Sequence, residues 1–139
     1  PEEAIKAVTE REQRELERRE HLYRDGRPAP NVQGRTVILV DDGLATGATM
    51  RAAIAALQQQ QPAHIVVAVP VAAPSVCEEL GMQVDEIVCA RTPEPFYGVG
   101  FWYDDFSQTT DEEVHDLLAR SMHEQAVPSH EQQTEHQGK

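Results

Sequence analysis

Two adjacent carboxylates, Asp41 and Asp42, follow the apolar run Val37-Ile38-Leu39-Val40, and a loop of little but Gly, Ala and Thr comes next, within "RTVILVDDGLATGATM". Carboxylates at a strand end accept hydrogen bonds from sugar hydroxyls, or lie near a Mg²⁺ that offsets their charge. Small residues let the backbone approach a ligand closely. The first N–H groups of a helix lack internal partners and attract an anion. Ala45, Thr46, Gly47, Ala48 and Thr49 therefore read as a phosphate cradle, with Thr46 and Thr49 adding hydroxyl donors. The loop has no Lys and no GxxxxGK[ST] pattern, so it is not a Walker A loop. An acidic pair and a phosphate loop side by side suit a ribose 5-phosphate, with its hydroxyls on Asp41 and Asp42. The spacing assigns no residue to proton transfer and no direct metal ligand.

The elements that must position these groups are legible around them. Residues 35–41 read as a strand covered on both faces, as in a parallel α/β sheet. Residues 47–61 read as a helix with Met50, Ala53, Ile54 and Leu57 on one face, ended by Pro62. "HIVVAVPVA" is a second strand, "APSVCEELG" a short helix closed by Gly81, and "VDEIVCA" a third strand. The β–α–β–α–β alternation implies parallel strands joined by right-handed crossovers. In such sheets, ligands bind at the carboxyl ends of strands.

On either side the pattern changes. Residues 1–26 read as a charged helix with a sparse apolar stripe (Ile5, Val8, Leu16, Leu22, Tyr23), stopped by Gly26 and Pro28. "PEPFYGVGFWYDDF" holds six of the seven aromatic residues of the chain and reads as loop plus a short strand. "TTDEEVHDLLARSMHEQ" is a helix opened by a capping box between Thr110 and Glu113. Residues 126–139 read as a disordered polar tail, leaving 1–125 as one domain.

Composition narrows the function classes. The chain has 139 residues and a net charge of -12, from Lys+Arg 12 against Asp+Glu 24. An excess of negative charge disfavours nucleic acid as a partner. No apolar run reaches the roughly 20 residues that span a bilayer, so a membrane is not expected. Cys77 and Cys89 show no metal-type spacing and read as two reduced thiols, with the cytoplasm as the default compartment.

"VILVDDGLATGAT" closely resembles the signature of type I phosphoribosyltransferases: four apolar residues, two acidic ones, then a small, Thr-rich loop. The resemblance implies an α/β three-layer sandwich around a parallel central sheet. It implies 5-phosphoribosyl 1-pyrophosphate with Mg²⁺ as the donor and transfer of ribose 5-phosphate to a nucleobase or amine. Asp41 and Asp42 resemble the pair that holds the ribose hydroxyls, and Ala45–Thr49 the loop that wraps the 5-phosphate. Hypoxanthine-guanine members carry an Asp at the position of Ala45, a candidate general base; adenine-type members carry "ATG", as this chain does. The family's first strand and pyrophosphate loop precede the signature, and nothing in residues 1–34 resembles them. The chain is accordingly expected to be the C-terminal part of such a domain. Arg24 and Arg27 would fall near pyrophosphate oxygens. A Pro-x-x-Phe segment holds the base in purine members, so Phe96 would stack on the ring and Asp104 or Asp105 would meet an exocyclic amine. Dimers are common in the family. Most of residues 1–120 also resembles bacterial predicted phosphoribosyltransferases of undefined acceptor.

A non-catalytic module of the same fold, sensing phosphoribosyl pyrophosphate or a nucleotide, is the alternative function. A flavodoxin- or receiver-like interaction domain would split its acidic residues between strand ends, whereas here they are adjacent.

Overall fold

The computed structural model describes residues 1–126. In chain order the elements are α1 (Glu2–Arg24), β1 (Thr36–Val40), α2 (Ala48–Gln58), β2 (His64–Val71), α3 (Pro74–Gly81), β3 (Glu86–Arg91), a 3₁₀ turn (Val99–Trp102) and α4 (Asp111–Ala126). The described residues form two compact units, one of Pro30–Ser107 and one of Pro1–Ala29 with residues 108–126. No helix among the described residues is long and apolar enough to cross a membrane.

The first unit is the α/β unit. Its three strands pair in parallel in the order β1-β2-β3, with Leu39 opposite Val67 and Val67 opposite Ile87. β-branched residues favour these strands because their stiff side chains pack well on a pleated surface. Pro70 sits in the central strand, but beyond the last β1 rung, Val40 opposite Ala68. Its missing N–H therefore costs no bond of that ladder.

Successive right-handed crossovers that advance in one direction place both connecting helices on the same face. The core lies there: Met50 and Ile54 of α2 and Val76 and Leu80 of α3 pack against Leu39, Val67, Val69 and Ile87. Val67 and Leu80 are fully buried. The expectation that β1 is covered on both faces fails at two residues. Val37 and Leu39 are half-buried, while Ile38 is 62 % and Val40 74 % exposed, because α2 and α3 leave the opposite face of the sheet open. A continuous apolar run does not reveal which face its neighbours cover.

Further readings shift. α2 spans Ala48–Gln58, so Gly47 is its N-cap, and the helix ends ahead of Pro62. Gly81 is the last residue of α3; the C-cap is Met82 in a right-handed conformation. After Pro93 there is no strand among the described residues, only the 3₁₀ turn. The cysteines are not reduced thiols: Cys77 of α3 and Cys89 of β3 form a disulfide, with Cα atoms 6.6 Å apart. The β2–α3–β3 crossover lays α3 beside β3, bringing together two residues that spacing alone left unrelated.

The second unit pairs α1 with α4. Thr110 and Glu113 form the expected capping box: Thr110 Oγ1 accepts from the Glu113 N–H at 3.2 Å and Glu113 Oε2 from the Thr110 N–H at 2.8 Å. Asp111 joins the helices, accepting from Tyr23 Oη at 2.6 Å and Arg18 Nη2 at 3.0 Å. These two donors hold the Asp111 carboxyl below its usual range. Arg18 and Arg19 likewise bring Glu15 down to about 2. α1 buries no residue fully. Ala126 closes α4; the rest of the expected tail lies outside the described residues.

Candidate functional site

The carboxyl end of β1 delivers Asp41 and Asp42 to the rim of the α/β unit. Asp41 is half-buried and Asp42 exposed. The Asp42 N–H donates to Asp41 Oδ1 at 2.9 Å, which fixes the first carboxylate across the strand end. The Asp42 carboxyl is pushed above its ordinary value, first by desolvation and then by the negative charge of Asp41. Because Asp42 stays largely in contact with water, the like charge is the cause that a bound cation or donor group would relieve.

Leu44 anchors the loop that follows. It is buried, forms an isolated parallel bridge with Ala72, donates its N–H to Val71 O at 3.0 Å and accepts from the Ala73 N–H at 2.9 Å. The chain then turns through Ala45, Thr46 and Gly47 into α2. Gly47 has φ 72 and ψ 8, a left-handed conformation that favours glycine. A Cβ there would meet Val76 Cγ1 at 2.8 Å and Leu80 Cδ1 at 3.3 Å, so α3 backs the turn closely. Ala45, Thr46, Ala48 and Thr49 are exposed. The N–H groups of Ala45, Thr46, Gly47 and Thr49 have no hydrogen-bond partner among the described residues, and that of Ala48 reaches only Thr46 Oγ1, at 3.4 Å. Unpaired amides at the start of a helix form a ready anion site.

Two residues that the sequence reading passed over belong here. Arg51, one turn into α2, donates to the Thr46 carbonyl at 2.6 Å and to Glu79 of α3 at 2.7 Å. Its spacing of four from Gly47 was a usable signal, since residues four apart share a helix face. Tyr103 Oη donates to the Asp42 carbonyl at 2.6 Å, across 61 residues of sequence, and had no local signal. The segment bearing Tyr103 also presses on Gly43, where a Cβ would lie 2.7 Å from Val99 Cγ1.

Phe96 is half-buried, directly after the cis Glu94–Pro95 bond. Asp104 and Asp105 are exposed, and Asp105 accepts from the Ser107 N–H at 2.9 Å. No hydrogen bond joins these three to Asp41 or Asp42. Tyr97, Phe101 and Trp102 form an exposed aromatic group with ring centroids 5.2 to 5.3 Å apart. Arg24 and Arg27 belong to the helical unit, where Arg24 pairs with Glu20 at 3.5 Å and Arg27 Nε donates to Arg24 O at 2.8 Å.

A parallel α/β sheet whose first strand runs through an acidic pair and a small-residue turn into a helix places its candidate ligand site at the carboxyl ends of the strands. Residues 2–97 match the family described as phosphoribosyl transferase domain, and the chain belongs to that family. It is 38% identical over 118 residues to candidate phosphoribosyl transferases from two Mycobacterium tuberculosis strains, CDC 1551 and H37Rv. That alignment covers 85% of this chain and 27% of each relative, so the chain spans about a quarter of their length. Among solved structures it resembles TT1426 from Thermus thermophilus, with a TM-score of 0.73 and 40% identity over 86% of this chain and 57% of that one.

Proposed function

We propose that this chain binds 5-phosphoribosyl 1-pyrophosphate with Mg²⁺ and serves the transfer of ribose 5-phosphate to a nucleobase or amine nitrogen. The observation that carries this reading is the continuity of Asp41 and Asp42 with a loop whose amides are unpaired and whose turn depends on Gly47. The acidic pair would accept hydrogen bonds from the ribose hydroxyls, and the amides and hydroxyls of Ala45–Thr49 would hold the 5-phosphate. Two adjacent carboxylates, one pushed above its ordinary range by desolvation and by the other's charge, fit a nearby divalent cation. Mg²⁺ would supply charge neutralisation for the pyrophosphate.

In the transfer, the C1–O bond to pyrophosphate breaks and a C1–N bond forms. Positive charge develops on the ribose as the leaving group departs, and Asp41 and Asp42 stabilise it electrostatically. Ala45 offers no proton acceptor, so the acceptor's proton leaves to pyrophosphate or solvent. Phe96 would stack on the acceptor ring, and Asp104 or Asp105 would accept from an exocyclic amine.

Calorimetric titration with phosphoribosyl pyrophosphate and Mg²⁺ tests the binding claim, and absence of heat would sink it. Pyrophosphate release against a panel of bases and amines then tests transfer. Binding without release under every acceptor would favour the sensing module.

A further inference from the structure

The Thr46–Gly47 peptide is the point in the loop most open to misorientation. A peptide plane reverses by a change in ψ of one residue and φ of the next. Here the next residue is glycine, which occupies φ of either sign with little penalty. Thr46 O and the Gly47 N–H belong to one trans peptide and point in opposite directions. Whatever holds the carbonyl therefore aims the amide. The carbonyl is held by Arg51 Nη1 at 2.6 Å, and the guanidinium is itself held by Glu79 Oε2 through Nη2 at 2.7 Å.

We propose that Arg51 is the positioning residue of the phosphate loop: clamped by Glu79 of α3, it holds the Thr46 carbonyl so that the N–H of the buried Gly47 points the other way with no protein acceptor, leaving an anion to pair it. This rests on the reading of the loop as a phosphate site. The clamp removes a carbonyl oxygen that would otherwise repel the phosphate, and it places a positive charge behind the loop. Arg suits both contacts because its planar fork presents two donors in fixed directions. The side chains of Arg51 and Glu79 are 33% and 53% exposed, so as an ion pair they contribute little to stability. Their role is orientation, and it is separable from folding.

The test titrates ribose 5-phosphate, and separately phosphoribosyl pyrophosphate with Mg²⁺, into wild type, Arg51→Met, Arg51→Lys and Glu79→Gln. Melting temperature is measured on each, and amide exchange at Gly47 is followed without ligand. Loss of a charge-assisted hydrogen bond predicts that Arg51→Met binds ribose 5-phosphate about tenfold more weakly. Arg51→Lys recovers part of that loss, and Glu79→Gln falls between. Melting temperatures stay close to wild type, and Gly47 exchange changes in Arg51→Met. Wild-type affinity in all three variants overturns the clamp and leaves the phosphate site standing. Affinity that falls only in step with melting temperature also overturns it, as a merely structural role. If wild type binds neither ligand, the phosphate reading fails and takes the clamp with it.

Discussion

The hydroxyl of Tyr103 donates to the backbone carbonyl of Asp42 at 2.6 Å, tying the aromatic segment after β3 to the end of β1. This bond limits how far the acidic pair can shift. Tyr103→Phe keeps the ring against Phe106, with centroids 5.1 Å apart, and removes only the hydroxyl. We expect a stability loss of about 1 kcal/mol and weaker binding of phosphoribosyl pyrophosphate, seen in denaturant titration and calorimetry. Unchanged ligand affinity would show that the acidic pair is held by other means.

Asp41→Asn with Asp42→Asn should abolish binding of the ribose-containing ligand and leave the fold intact. Removing two adjacent like charges relieves the repulsion that helps raise Asp42, so the melting temperature is expected to hold or rise. Circular dichroism and calorimetry on the same sample decide the point, and retained affinity would show the aspartates to be misassigned.

Gly47→Ala is expected to cost about 2–3 kcal/mol, from a left-handed backbone and a Cβ at 2.8 Å from Val76 Cγ1. Gly34→Ala provides the comparison: φ is 68, but the space around it is open, so backbone strain of about 1 kcal/mol stands alone. Equal losses at the two sites would argue against close backing of the loop by α3.

Reducing the Cys77–Cys89 disulfide, which closes a separation of 12 residues, should destabilise the α/β unit by about 3 kcal/mol through the freed unfolded chain. The check is a denaturation series with and without reductant, together with thiol titration. Two reactive thiols in protein never exposed to reductant would contradict the pairing.

The α1–α4 unit should carry a pH dependence of its own. His115 Nε2 lies 3.0 Å from Asp25 Oδ1, and that bond, with the charge of Asp25 and a weaker contribution from Asp116, raises the imidazole above its ordinary value. The folded unit then holds a proton that the unfolded chain releases near pH 6.5. Stability from the pair is complete below that pH and is lost as pH rises through the folded value. Melting curves of wild type should fall across this window, and those of His115→Gln should not. Parallel curves would assign no role to the pair.

What could be read in advance was local. The acidic pair at the end of β1 follows from an apolar run meeting two carboxylates, and the turn into α2 from the small residues before a helix. The buried face of α2 follows from the spacing of Met50 and Ile54, and the start of α4 from Thr110 and Glu113 three apart. Each involves residues within one turn or one strand of each other, where backbone geometry alone dictates proximity.

Other relationships depended on chain reversal. The crossovers bring Cys77 to Cys89 and Arg51 to Glu79, and the return after β3 brings Tyr103 to Asp42. The open face at Ile38 and Val40 exists because two right-handed crossovers placed both helices on one side, a matter of strand order rather than hydrophobicity. By itself, then, the sequence determined that an acidic pair and a small-residue turn stand together between a strand and a helix. Only the tertiary structure decided which side chains hold those groups in place, because contacts between elements depend on strand order and helix placement, which spacing along the chain does not encode.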